Sequence, residues 1–321
     1  MAGDSKIVEA NRDTYNDGRL KVFDLASMKR HNKFMAEYML CFSSKNQGDA
    51  IVDRNLKINA TEDVDPDTPI EDVSTNWDKS SSKLLDFACG AGNMTKYLSP
   101  FAKNVVGVDI SPAMAKAYKE RTGHEGYACN IVEESNPAIG NDFDFIVCTM
   151  SYHHIEDLGL VTKKLSEKLK SGGWLYVMDM DSTNPNSTMG QLMKTAAAQK
   201  HDNHSHSHSH SHSHDHAHSH DHGHGHSHGG GGDSLEEAAE KIGVAHAHGI
   251  SPEGMVKMFE NAGLTNVAVD RGIQVQVWTP VEEMRALTNA AEDETFDLFE
   301  KDDKGRCDLT FAMLLAAGMK P

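Results

Sequence analysis

Basic residues, paired cysteines and long apolar runs are all scarce in this chain, and each scarcity closes off a class of function. Lysine and arginine number 31 against 48 aspartates and glutamates, a formal net charge of -17 at pH 7. Affinity for a phosphate backbone comes mainly from lysine and arginine releasing counterions, so this balance argues against a nucleic-acid partner. The five cysteines, Cys41, Cys89, Cys129, Cys148 and Cys307, include no CxxC pair and no disulfide-like spacing, which points to a reducing compartment. No stretch of about 18 consecutive apolar residues occurs, and the N-terminal MAGDSKIVEANRDTYNDGR has acids where a signal peptide has an apolar core. The expectation is a soluble protein of the cytoplasm, or of the nucleus as well, with no membrane partner. Composition leaves the oligomeric state open.

What is present reads in three blocks. Residues 1–58 carry Leu20, Phe23, Leu25, Met28, Phe34, Met35, Tyr38, Met39 and Phe42 at helical spacing, and are expected to form an N-terminal helical lid. Residues 59–82 are acidic and broken by Pro66 and Pro69, which suits a mobile linker. From Lys83 to the end, short apolar runs (LLDFA, VVGVDI, YACNIV, DFDFIVCTM, WLYVMDM) alternate with helical stretches, the pattern of βαβ units on a parallel sheet. Ser111-Pro112 and Ser251-Pro252 each put a capping residue before a proline at the first helical position. The last part predicts a helix over 252–261, a strand near Val267 to Val277, a helix near 280–300 and a final strand, LTFAMLLAA.

The segment Asp86-Phe87-Ala88-Cys89-Gly90-Ala91-Gly92-Asn93 follows a buried-looking strand and opens a helix, where glycines let the backbone approach a ligand. Asp109 closes the next strand, 23 positions after Asp86, where a carboxylate can accept two hydrogen bonds from ribose hydroxyls. A nucleoside-containing ligand follows from the two together. A dinucleotide fingerprint would need a third glycine where Thr95 stands, so a nicotinamide cofactor is disfavoured. S-adenosylmethionine has no pyrophosphate to seat, and an acid on each side of the loop suits its amino-acid and adenosine parts.

On the motifs DFACGAG, VVGVDIS, YACNIV, FDFIVCTMSYHHIED and LKSGGWLYVMD, residues 83–181 resemble a class I S-adenosylmethionine-dependent methyltransferase of the small-molecule group, in a branch of fungal type. The resemblance implies an α/β, doubly wound, mostly parallel sheet of seven strands in the order 3-2-1-4-5-7-6, a Rossmann-like methyltransferase fold with its last strand antiparallel. It implies that Asp86 and Gly90 lie by the amino-acid part of the methyl donor, Asp109 at its ribose, and Ile110 and Ile131 against its adenine. Ala88, Gly92, Thr149 and, from the lid, Tyr15 complete the implied donor-binding set. The family's first loop glycine is Ala88 here, a common variant, and Asn130 stands where the family often has an acid at the adenine amino group; its amide oxygen can accept the same hydrogen bond.

Ser151-Tyr152-His153-His154 follows the fourth strand of that pattern, at the carboxyl edge where open α/β folds place ligands. An imidazole there can take a proton from an acceptor near neutral pH, so His153 and His154 are candidate bases, against the plainer reading that one caps a helix or packs beneath the donor. Asp179 is a candidate proton acceptor or substrate-amine anchor at the end of the fifth strand, as is Asp181, and a solvated strand end is the alternative for both. The implied reaction is O-, N- or C-methylation of a small-molecule acceptor. A protein methyltransferase and a non-catalytic metal-binding protein on the same scaffold are the alternatives.

Between the fifth strand and the helix at 252, residues 182–250 form an insertion much longer than the usual connection. Within it, 201–232 hold most of the chain's 20 histidines, one at every second position from His204 to His228. The run has no apolar face to bury and is expected to be disordered without metal. His204, His206, His208, His210, His212 and His214 are candidate accessory ligands for Zn or Ni, many equivalent donors without the fixed geometry catalysis needs. His246 and His248 repeat the spacing beyond the glycines, where a solvated loop is the plainer reading.

Overall fold

The longest strands among the described residues, of fifteen and thirteen residues, lie at the C-terminal end rather than beside the glycine loop. The computed structural model describes residues 5–42, 49–60, 65–71, 73–205 and 234–321. In chain order it has α1 (Lys6–Thr14), a 3-10 segment at Asp17–Asp24, α2 (Ala26–Cys41), β1 (Ile51–Asn59), β2 (Lys83–Phe87), α3 (Asn93–Leu98), β3 (Asn104–Asp109), α4 (Pro112–Thr122) and β4 (Glu125–Ala128). There follow β5 (Phe143–Thr149), α5 (Leu158–Lys168), β6 (Leu169–Met180), α6 (Met189–Ser205), α7 (Leu235–Lys241), α8 (Pro252–Asn261), β7 (Thr265–Thr279), α9 (Val281–Thr288) and β8 (Cys307–Met319).

The eight strands among the described residues join one sheet in the order β1-β7-β8-β6-β5-β2-β3-β4. Read from β4 this is the expected seven-stranded order, with β8 antiparallel to both β6 and β7. The correction is the eighth strand: β1 pairs in parallel with β7 at the edge, from residues expected to be helical. Its reading IVDRNLKIN is mostly exposed, because an edge strand covered on one side only shows little apolar contrast. β8 is the opposite case, buried almost throughout because neighbours flank it and helices cover both faces. One core layer holds α2, α3 and α9 against the sheet, and the other holds α5 and α8.

Local signals placed the helices well where caps exist. Ser111 accepts from Met114 N–H at 3.3 Å and Ser251 from Gly254 N–H at 3.0 Å, each ahead of a proline in the first turn. The helix expected over 280–300 ends at Thr288, because Asn289 turns left-handed. Part of the insertion is ordered: Met193 of α6 and Ala239 of α7 share a small core with Val244 beyond it, and Ser234 with Glu237 closes a capping box on α7. The remainder of the expected disordered loop, including His206, His208, His210, His212 and His214, lies outside the described residues. The acidic stretch before β2 is anchored, with Ile70 and Trp77 buried and Trp77 stacked on Phe145 at 4.2 Å.

Candidate active site

Strand order reverses at β2, which has β3 on one side and β5 on the other, so the loops leaving their carboxyl ends diverge and open a crevice. A cavity of about 470 Å³ occupies it. Its floor is the loop after β2, where Ala88, Gly90 and Gly92 all have positive φ. Gly92 is needed for packing as well as for its φ of 88°: a Cβ there would lie 2.4 Å from the Thr122 methyl. Ala88 and Gly90 line the cavity, while Gly92 sits behind the loop as the cap of α3 and does not reach it.

Two buried carboxylates flank this loop. Asp109 accepts the Gly90 N–H through Oδ2 and the Ser111 N–H through Oδ1, each at 2.8 Å, so each oxygen keeps a lone pair for a ligand. Burial raises its pKa, against the lowering effect of those amide donors. Asp86 is more strongly affected: burial pushes its pKa up to about 7, despite the hydrogen bond that the Thr95 hydroxyl donates at 2.7 Å. Thr95 thus occupies the missing third-glycine position as the partner of Asp86, and its oxygen lies 2.9 Å from the Tyr118 hydroxyl. Ile110, Asn130 and Ile131 line the wall beyond Asp109. The Asn130 Oδ1 already accepts the Val132 N–H at 3.2 Å and retains one lone pair.

The other wall comes from β5. Thr149 ends the strand at the cavity, and the next turn presents His153 and His154 with different surroundings. His153 Nδ1 lies 2.7 Å from Asp179 Oδ1, so Nδ1–H donates to the carboxylate and Nε2 carries the lone pair. That Nε2 has no partner among the described residues. Asp179 is fully buried and also accepts the N–H groups of Ser151, Tyr152 and Met180 at 2.7–2.9 Å. Burial pushes the Asp179 pKa up, but the His153 imidazole and the amide donors outweigh it and the net direction is down. Asp179 therefore does not line the cavity as a substrate anchor; its lone pairs are spent holding the turn and the His153 ring. Asp181 uses one oxygen, Oδ1, to accept the Thr183 N–H and hydroxyl at 2.9 and 2.6 Å.

His154 donates from Nδ1 to the Gly243 carbonyl at 2.7 Å, which leaves Nε2 to accept from the Tyr15 hydroxyl at 3.2 Å. Burial, reinforced by the neighbouring His153, lowers its pKa to about 3. Tyr15 also lines the cavity, and its carbonyl accepts the Ser111 hydroxyl at 2.7 Å. The end of α1 thus bridges the β3 and β5 walls. Gly243, with φ 79°, passes so near α1 that a Cβ would stand 2.6 Å from Asn11 Oδ1.

Sequence reasoning missed the far end of the cavity, built from α2, α6, α9 and β8. Met28, Met35, Met189, Leu192, Leu287 and Phe311 line it. His31 is set among them, fully buried, its ring stacked on Phe311 at 3.8 Å and its Nε2 3.1 Å from Met313 Sδ. The available signal was spacing: His31 falls midway between buried Ser27 and Met35 on one face of α2. Arg19 reaches the cavity too, with its terminal nitrogens donating to the Ala286 and Leu287 carbonyls at 3.3 and 2.9 Å. Of the candidate metal ligands, His204 lies in α6 by its backbone; beyond the run, where a solvated loop was the plainer expectation, His246 Nε2 meets the Ile155 carbonyl at 3.0 Å and exposed His248 pairs with Glu236 at 2.8 Å. Among the described residues no group of three or more His, Cys, Asp or Glu side chains is placed to hold a metal.

The chain matches a family model described as a methyltransferase domain over residues 66–269. It is 28% identical over 305 residues to an uncharacterized methyltransferase of Schizosaccharomyces pombe, covering 92% of each chain. It is also 24% identical over 118 residues to a ubiquinone biosynthesis O-methyltransferase of Xanthomonas euvesicatoria, covering 36% of this chain and 49% of that one. Apart from the S. pombe protein, the chain therefore spans about half the length of such relatives. Among solved structures, the YcgJ protein of Bacillus subtilis aligns at TM-score 0.43 and 16% identity, over 76% of this chain and 93% of that one. Phosphoethanolamine N-methyltransferase 2 of Haemonchus contortus, in complex with S-adenosyl-L-methionine, aligns at TM-score 0.40 and 17% identity, over 75% and 49%.

Proposed function

With the chain belonging to the S-adenosylmethionine-dependent class I methyltransferases, we propose that it methylates an oxygen, nitrogen or carbon of a small, apolar or phenolic acceptor, with His153 as the proton acceptor. The observation that carries this reading is the His153–Asp179 pair at 2.7 Å on the cavity wall facing the Asp86 to Asp109 floor.

The floor suits the donor on three counts. Asp109 keeps two lone pairs for a ribose diol. Gly90 puts bare backbone against the cavity beside it. Asp86, protonated or ionised in near balance around pH 7, gains a reason to ionise when an ammonium group arrives. Ile110 and Ile131 offer apolar faces for a purine, and Asn130 an acceptor for its amino group. Bound there, S-adenosylmethionine would supply a methyl group already activated by its sulfonium, and Asp86, Asp109, Asn130 and the β2 loop would hold it.

The chain's own part is to hold the acceptor, exclude water and receive a proton. In-line positioning supplies much of the rate for such a transfer. Of the two adjacent imidazoles, His153 suits the proton: its tautomer is fixed by a carboxylate that also stabilises the ring once charged. His154 has no carboxylate against it and stays neutral at any physiological pH, which suits it to orient Tyr15 across the mouth between β3 and β5. Tyr15 and α1 then act as part of the cover over the donor.

The acceptor class is tested by adding S-adenosylmethionine with a labelled methyl group to cell extract and separating products by size. Label in the small-molecule fraction is expected; label confined to protein would replace this reading by protein methylation.

A further inference from the structure

The two ends of the cavity differ in charge. The donor end carries Asp86 and Asp109, whereas Met28, Met35, Met189, Leu192, Leu287 and Phe311 make the far end apolar. His31 is the polar group on this apolar wall whose ring is itself fully buried. The contact of its Nε2 with the Met313 thioether at 3.1 Å fixes the tautomer, because sulfur there can only accept and Nε2 must carry the hydrogen. Nδ1 is left with its lone pair and with no partner among the described residues. His31 lines the cavity, so a ligand lying there can donate to this free acceptor. Stacking on Phe311 at 3.8 Å, with an interplanar angle of 15°, holds the ring in this orientation.

Resting on the methyl-transfer reading above, we propose that His31 is the specificity-determining residue for the acceptor: its Nδ1 accepts a hydrogen bond from an O–H or N–H group on an uncharged, ring-sized apolar molecule lying among the methionines. Such a molecule is a phenol, an aromatic amine or an alicyclic alcohol. Burial alone governs the ionisation of His31 and takes its pKa to about 3, so the ring stays neutral and recognises a donor without taking its proton. A carboxylate in its place would face that lone pair and be repelled. The thioether side chains adapt to shape, so the ring's outline is less tightly selected than its one donor group.

The test uses the full chain saturated with S-adenosylhomocysteine and three probes of one shape: para-cresol, para-xylene and para-toluate. On the wild type, para-cresol is expected to bind more tightly than para-xylene, with para-toluate the weakest. His31→Phe keeps the stacking and removes both nitrogens, and the cresol-to-xylene affinity ratio is expected to fall about tenfold. In the wild type with nitrogen-labelled histidine, the His31 Nδ1 resonance is expected to move on adding para-cresol and not para-xylene, a readout that needs no folded variant. An unchanged ratio, a stationary Nδ1 resonance, a preference for para-toluate, or binding of none of the probes overturns the assignment. S-adenosylhomocysteine binding is measured first: its absence from the wild type contradicts the methyl-transfer reading itself, whereas its presence with any of those results contradicts His31 alone.

Discussion

The two ends of the cavity are built by different means. At the end proposed to hold the donor, residues close in sequence do the work: one loop after β2, one carboxylate after β3 and one turn after β5, each set by its own strand. Backbone amides satisfy the carboxylates there, and glycine or left-handed geometry shapes the floor. At the far end, α2, α6, α9 and β8 bring together residues nearly three hundred positions apart, and side-chain packing shapes the wall. A donor common to a family can be met by a fixed local device, whereas a chamber made of exchangeable side chains on separate helices can be refitted to a new acceptor without disturbing that device.

The comparison is broken most directly at the boundary between the ends. Replacing His153 by alanine is expected to lower turnover roughly a hundredfold or more with little change in donor affinity. His154→Ala is expected to cost much less in rate, since its imidazole is held neutral and faces Tyr15. Rapid-quench measurement of labelled product from the two variants checks the contrast, and equal losses would undo the division of labour between the neighbours.

Next in size, Asp109→Ala should weaken S-adenosylhomocysteine binding by about 1.5 to 3 kcal/mol, the range for hydrogen bonds to a charged group. It also strips the Gly90 and Ser111 amides of their acceptor. A lower melting temperature should accompany the affinity loss, read by calorimetry on the same samples. A substitution that left both unchanged would remove Asp109 from the site.

A smaller effect comes from pH. Because the Asp86 pKa is raised to about 7, binding a cationic donor below that value must first expel a proton. Donor affinity should therefore rise toward pH 7 and level off above it, by up to about tenfold per pH unit on the acid side. The stability contribution has the opposite slope: with the folded pKa above the unfolded value near 4, the folded chain binds more protons in between, and stability falls as pH rises through that window. Asp86→Asn should flatten both slopes, and an unaltered affinity profile would show that another group titrates.

These expectations track how much of the molecule could be read from sequence. The β2 loop and Asp109 were legible because each is a local signal within the βαβ pattern, whereas the sheet order came only through the family resemblance. β1 was not, because IVDRNLKIN lies at an edge with most side chains exposed and its meaning depends on β7, over two hundred residues away. Asp179 was found but with the wrong task, since nothing in the sequence says that four donors already converge on it. His31 was passed over inside an amphipathic stripe: its spacing placed it on the buried face of α2, but its surroundings depend on Phe311 and Met313 from the far end of the chain.

The smallest expected effect belongs to the far end. Met35→Leu conserves volume in the chamber, so stability should change by less than about 1.5 kcal/mol and S-adenosylhomocysteine affinity should not change. The relative use of different small acceptors should shift, read as a ratio of kcat/KM values. A change in donor affinity as large as that in acceptor preference would mean that the two ends are not separable.

The central claim, that the β2 loop and Asp109 form a site for S-adenosylmethionine and not for a dinucleotide, is tested most directly by titrating S-adenosylhomocysteine and NAD into the full chain in a calorimeter. Saturable binding of S-adenosylhomocysteine at one site per chain, with no heat from NAD, is expected; binding of NAD with none of S-adenosylhomocysteine would overturn the assignment.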